Sequence, residues 1–220
     1  MNTIHDLGGM DGFTLPARDQ DFPLREEWER QIWGLALSVW SKPIPGYPGG
    51  TRADIERIPP ERYLDMPYFA KWLWAEEVAV IRGGLLSREE LDNPDAYVAA
   101  VDVGDFTPAT PADVVAFLQS DNSFERPATT EPRFRTGDEV VVKNNHPEGH
   151  TRCPRYTRGR RGVINRHHGV HDYQDDQPAD AGKQHLYTVT FAAKELWGDR
   201  GNDNDRINAE LWEIHLEPAP

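Results

Sequence analysis

Ser120-Asp121-Asn122-Ser123-Phe124-Glu125-Arg126-Pro127-Ala128-Thr129-Thr130-Glu131-Pro132 divides this chain into two unlike parts. The stretch is polar and Pro-containing and reads as a linker over residues 120–132. Before it, apolar residues recur at helical spacing; after it, the period turns twofold. Helices first and short antiparallel strands second make an α+β chain.

Upstream, Glu26 to about Trp40 reads as a helix. Its acidic first turn suits the helix dipole, and Trp28, Ile32, Leu35 and Val39 fall at helical spacing. Pro43, Pro45, Gly46, Pro48, Gly49 and Gly50 break it. A short helix from Arg52 to Ile58 is expected to stop at Pro59-Pro60. The next opens at Pro67 and runs through Tyr68, Phe69, Trp72, Leu73, Trp74 and Val78 to Gly83-Gly84. It is apolar on most sides, so it should be enclosed, in part by another chain. Ser87-Arg88-Glu89-Glu90 is a capping-box pattern, and Thr110-Pro111-Ala112-Asp113 starts a helix ending near Gln119. Residues 26–119 are therefore expected to form a helical domain. Residues 1–25, with Gly8-Gly9, Gly12, Pro16 and Pro23, show no period and read as an extended arm.

Downstream, Val140-Val141-Val142, Gly162-Val163-Ile164, Leu186 to Phe191 and Glu210 to Ile214 are short strands between turn residues. Several such strands close together suggest a small antiparallel, SH3-like β-barrel over residues 133–220.

Composition narrows the function. The formal net charge of −13 disfavours a general nucleic-acid binder, which needs a basic surface. Arg152, Arg155, Arg158, Arg160, Arg161 and Arg166 nevertheless crowd one stretch. Cys153 is the one cysteine, which excludes an internal disulfide framework and a multi-thiolate metal site. No run approaches the roughly twenty apolar residues of a membrane helix, and the first residues lack a signal core, so a cytoplasmic protein is expected.

Most candidate chemistry has a plain reading. His146-Pro147-Glu148-Gly149-His150 has two histidines four apart, but Pro147 and Gly149 oppose the helix a zinc pair needs, so a turn is expected. His167-His168 and His171 read as surface histidines of a loop, and Asp199 to Asp205 as a solvated turn, since Gly201 is misplaced for calcium. Arginines beside Cys153 favour a lowered thiol pKa, though a structural role is the better reading. No residue of this chain is read as a metal ligand. Thr136 to Val140 followed by Arg158 to Ile164 is similar to the KOW modules that bind RNA. The acidic balance favours a protein interface instead, where arginine holds anionic oxygens bidentately.

Ile4-His5-Asp6-Leu7-Gly8-Gly9-Met10-Asp11-Gly12, Glu27-Trp28-Glu29, and Pro67-Tyr68-Phe69 with Trp72 carry a family likeness that runs along the whole chain, a resemblance to the nitrile hydratase β subunits. It is closer still in Gly149-His150-Thr151-Arg152-Cys153-Pro154-Arg155-Tyr156-Thr157-Arg158-Gly159, His168-Gly169, Leu186 to Phe191 and Glu195-Leu196-Trp197-Gly198. The resemblance implies nitrile hydration at a Co(III) or Fe(III) ion bound by a partner α subunit, in an α2β2 heterotetramer, with no nucleic acid or membrane involved. Two of the partner's cysteines are expected as sulfinate and sulfenate. The arginines that bond their oxygens correspond to Arg52 and Arg152, and Tyr68 joins them as a catalytic group. Leu37, Trp40 and Trp72 are the implied substrate-binding residues, and Trp72 leans towards cobalt. Thiocyanate hydrolase, a relative on the same scaffold, is the alternative, favoured by Asp65-Met66-Pro67-Tyr68-Phe69. The KOW-like nucleic-acid module is the alternative of another class.

Overall fold

Pro60 shows how local chemistry shapes the helical part of the computed structural model. The Pro59-Pro60 pair was expected to end a helix, yet Pro60 also begins one. At the first helical position its missing N–H has no partner to lose, and its fixed φ is already helical. The helices are α1 (Glu27–Ser41), α2 (Thr51–Glu56), α3 (Pro60–Asp65), α4 (Tyr68–Arg82), α5 (Arg88–Asp92) and α6 (Pro111–Gln119). The structure describes residues 4–8, 10, 24–42, 44–47, 50–93, 95, 107–121, 123–176 and 181–220. Residues 14–122 form one compact unit, and residues 1–13 with 123–220 form the other.

In the helical unit α4 packs against α1 and α2, and α6 against α1. The buried face of α1 is not the stripe its spacing predicts: Ala36 and Leu37 are buried, whereas Trp28 and Leu35 stay 38% and 43% exposed. Ser87 and Thr110 cap α5 and α6 as the sequence indicates, each accepting the N–H three residues on. Buried Asp54 locks α2 to α4. It accepts from Arg57 Nη1 at 2.9 Å, Arg82 Nη1 at 3.0 Å and the Tyr47 hydroxyl.

The other unit is built on an antiparallel sheet of β1 (Glu125–Arg126), β2 (Glu139–Val142), β3 (Arg161–Asp172), β4 (Lys183–Ala192), β5 (Arg206–Trp212) and β6 (Leu216–Pro218), with α7 (Ala193–Trp197) after β4. The pairing order is β5-β4-β3-β2-β6, and β1 adds to the far end of β3. Val140 and Val142 alternate into a core completed by Ile164, Tyr187, Val189, Phe191, Leu211 and Leu216. The result is a mixed chain of helices and antiparallel sheet. The barrel closure expected of it is absent, since β5 and β6 do not pair among the described residues. Strands β2 and β6 have only four and three residues beside twelve in β3 and ten in β4, so a long bent hairpin dominates. The bend sits at register shifts between Ile164 and Arg166 and between His167 and Val170, where Gly169 takes φ +87°.

That strand also corrects the reading of His167, His168 and His171 as loop residues. All three lie on β3, and His167 bonds His185 across to β4 at 3.0 Å. The expected extended arm is corrected in part too. Ile4–Leu7 forms a 3-10 turn with Ile4 and Asp6 buried, and Asp6 Oδ1 meets Arg158 Nη2 at 2.9 Å. A buried guanidinium needs an anion, and Asp6 supplies it. Residues 11–23 lie outside the described residues.

Candidate functional site

Tyr68 and Trp72 lie one turn apart on α4, so both side chains meet one face. Trp40, near the end of α1, packs on Trp72 with ring centroids 5.2 Å apart and donates its indole N–H to Thr51 Oγ1 at 3.1 Å. That bond ties α1 to the first residue of α2. The next residue is Arg52, so the four side chains named from the sequence, Trp40, Arg52, Tyr68 and Trp72, line one pocket of about 270 Å³. Thr51, Ile55, Glu56, Tyr63 and Lys71 complete its lining. Leu37 lies three residues before Trp40 on α1 and is buried, outside that lining.

The polarity of the pocket is arranged by residues that sequence reasoning did not single out. Buried Glu56 accepts from Arg52 Nε at 3.0 Å, while the Arg52 side chain is 69% exposed. The terminal nitrogens of Arg52 make no hydrogen bond or ion pair among the described residues. Lys71 Nζ sits over the Tyr63 ring, 3.9 Å from its centroid, and burial holds its pKa below the ordinary lysine range. Tyr68 is 59% exposed and stacks edge-on against Phe69 and obliquely on Trp72. The arrangement is an aromatic wall with a cationic fork at its rim, suited to a small apolar molecule with one polar end.

Arg152 belongs to the other unit. It lies on the loop leading to the 3-10 turn Arg155–Thr157, exposed, and its guanidinium has no partner among the described residues. The loop beneath it is clasped by Asp175 and Asp176. Asp176 Oδ2 accepts from His150 N at 3.0 Å, and Asp176 N donates back to His150 O at 2.9 Å. Asp175 accepts from Thr151 Oγ1 at 2.6 Å, Arg152 N at 2.8 Å and His215 Nε2 at 2.9 Å. Gly149 permits this approach, since a Cβ there would lie 2.7 Å from Asp176 Oδ2. Burial pushes the Asp175 carboxyl up, but His215, Thr151 and the Arg152 amide outweigh it and hold the pKa below the ordinary range.

The arginine island comes apart on inspection. Arg158 is buried on Asp6, with Nη2 also donating to Cys153 O at 3.0 Å, and Arg161 pairs with Glu139 at 3.0 Å. Two of the six arginines are thereby paired with carboxylates of this chain. Cys153 is buried and its thiol pKa is pushed up to about 11. Burial outweighs the neighbouring Arg158, correcting the expectation of a lowered value. His146 is exposed and His150 buried, with no helix between them. Among the described residues no group of three or more His, Cys, Asp or Glu side chains is placed to hold a metal, and no helix is long and apolar enough to cross a membrane.

Residues 1–123 match the family model described as "Nitrile hydratase beta subunit, N-terminal", and residues 123–218 match "Nitrile hydratase beta subunit, C-terminal". The chain belongs to the nitrile hydratase β-subunit family. Among its relatives is the cobalt-containing nitrile hydratase subunit beta of Pseudonocardia thermophila, 32% identical over 99% of this chain and 96% of its own length. The low-molecular weight cobalt-containing nitrile hydratase subunit beta of Rhodococcus rhodochrous is 32% identical over the full length of both. The nitrile hydratase subunit beta of Pseudomonas putida is 33% identical over the same full span. A solved chain of thiocyanate hydrolase from Thiobacillus thioparus is 27% identical over 51% of this chain and all of its own, with a TM-score of 0.41. Membership in the β-subunit family thus extends over both units, the one carrying Arg52 and the one carrying Arg152.

Proposed function

We propose that this chain is the β subunit of a cytoplasmic nitrile hydratase, adding water to nitriles to give amides at a Co(III) or Fe(III) ion held by a partner α subunit in an α2β2 assembly. The observation that carries this reading is the likeness to named β subunits over the full chain, with Arg52 at the rim of an aromatic pocket. The exposed guanidinium groups of Arg52 and Arg152 suit a chain that meets an anionic site on a partner. The ion would supply Lewis-acid activation of the nitrile or of water.

The remaining work falls to this chain. Arg52 and Arg152 each present a planar fork to the oxygens of the partner's oxidised cysteines, anions that are costly to leave unpaired away from water. Glu56 fixes Arg52 through Nε and leaves its other nitrogens for that purpose. Trp40 and Trp72 wall the apolar part of the nitrile, and the Tyr68 hydroxyl donates a hydrogen bond at the reacting end; Leu37, buried on α1 outside that lining, would bear on the substrate only through its neighbours. Exposed Leu73 on α4 and Leu118 on α6 offer apolar surface for the partner to cover.

The test compares the chain purified alone with the chain co-expressed with its α subunit. Alone it should contain no stoichiometric cobalt or iron and form no amide; together they should contain metal and hydrate nitriles. Stoichiometric metal with turnover in the single chain would overturn the reading. Hydrolysis of thiocyanate in place of nitriles would transfer it to the thiocyanate hydrolase branch.

A further inference from the structure

We infer that Asp175 is a positioning residue for Arg152, fixing the backbone from which that guanidinium is presented. The inference rests on the proposed role of Arg152 and extends it to a residue distant in sequence. The Arg152 guanidinium makes no hydrogen bond or ion pair among the described residues, so what this chain fixes is the main chain from which it extends. That main chain is held at each step. His150 is bonded through both N–H and C=O to Asp176, and the Cys153 N–H is taken by Thr151 Oγ1 at 3.1 Å. The Arg152 N–H has one acceptor, Asp175 Oδ1. The same carboxylate takes the Thr151 hydroxyl, so it grips two consecutive residues of the loop.

Asp175 is itself held from behind. Its side chain is 3% exposed, and Oδ2 accepts from His215 Nε2, which must carry the proton because a carboxylate oxygen only accepts. The Tyr173 hydroxyl lies 3.5 Å from the same nitrogen. Asp175 is thus pinned between His215, just before β6, and the Arg152 loop, and the loop inherits that rigidity. A guanidinium that must meet two oxygens in one plane gains from a backbone that does not drift, since small misplacements near the chemistry are costly in rate.

The experiment is a double-mutant cycle in the chain co-expressed with its α subunit, using Asp175→Asn, Arg152→Ala and the pair. Asp175→Asn should lower kcat about tenfold with KM nearly unchanged, as replacements behind a working group typically do. The double variant should be no slower than Arg152→Ala alone. Amide hydrogen exchange should accelerate across residues 149–153 and stay unchanged elsewhere, a readout independent of turnover. If Asp175→Asn does not assemble, His215→Leu asks the same question with the carboxylate in place and should give a smaller loss in the same direction. Full turnover from the assembled Asp175 or His215 variant beside a crippled Arg152→Ala overturns the proposal, as do losses that multiply in the double variant. Wild-type turnover from Arg152→Ala would instead remove the reading on which the proposal stands, and the proposal with it.

Discussion

Arg152→Lys keeps the charge and removes the fork. Because the Arg152 side chain is exposed and makes no hydrogen bond or ion pair among the described residues, the change should alter the chain's own stability by less than about 0.5 kcal/mol. In the assembled enzyme it removes one charge-assisted hydrogen bond, about 1.5–3 kcal/mol. At about 1.36 kcal/mol per decade that is a roughly 10- to 150-fold fall in kcat. The neighbouring arginines serve as controls with distinct expectations. Arg155 and Arg160 are exposed, and their lysine variants should stay within about twofold of wild type. Arg158 is buried with contacts to Asp6, Cys153 O and His146, which one ammonium cannot reproduce, so Arg158→Lys should lower the melting temperature. Steady-state kinetics and thermal melts of the assembled variants separate these cases. Equal, small effects at positions 152, 155 and 160 would refute the placement of Arg152 against the partner's oxidised cysteines. So would an Arg152→Lys whose loss of activity is matched by its loss of stability.

Cys153→Ala should retain most of the turnover, and the native thiol should resist alkylation. With its pKa at about 11, only about one thiol in a thousand is ionised at pH 8. Rapid labelling at neutral pH, or a dead variant that still assembles, would contradict this. Glu76→Gln should change how stability depends on pH. Glu76 is 2% exposed, its Oε2 has no hydrogen-bond partner among the described residues, and burial raises its carboxyl from 4.5 to about 7. Below pH 4.5 the group is protonated in both states and costs nothing. Between pH 4.5 and 7 the unfolded chain ionises first, so native stability falls as pH rises; above 7 the whole penalty, on the order of 3 kcal/mol, is present. The melting temperature of Glu76→Gln should therefore pull ahead of wild type over that window, and a constant difference across it would count against a buried, proton-holding Glu76.

Much of the architecture was legible because it follows from local rules. The alternation of Val140 and Val142, the capping residues Ser87 and Thr110 and the one-turn spacing of Tyr68 and Trp72 each need only near neighbours. What stayed hidden depends on distant partners. Helix α3 was masked because Pro60 signals both an end and a beginning. The long course of β3 was masked by Gly169, which reads as a loop residue but serves as a bulge. Within the candidate site, Glu56 and Lys71 look like ordinary helix-surface charges until the fold sets them beside Arg52 and Tyr63. Asp175 sits in a run of polar residues, and nothing nearby announces a carboxylate that grips a loop more than twenty positions earlier.

The ion pair between Asp6 and Arg158 has a bearing on the order of synthesis. Its members lie roughly 150 residues apart, and the helical unit occupies the interval between them. On a ribosome the first turn emerges early and then waits, with Asp6 in water, until Arg158 follows. The helices of residues 14–122 have all their partners sooner and are free to fold in the meantime. The sheet unit is therefore completed by a segment that belongs to it in space and precedes its first strand by about half of the sequence. A circular permutant that joins the two ends and opens residues 120–124 would make that segment and its sheet consecutive, and should refold faster than the natural order.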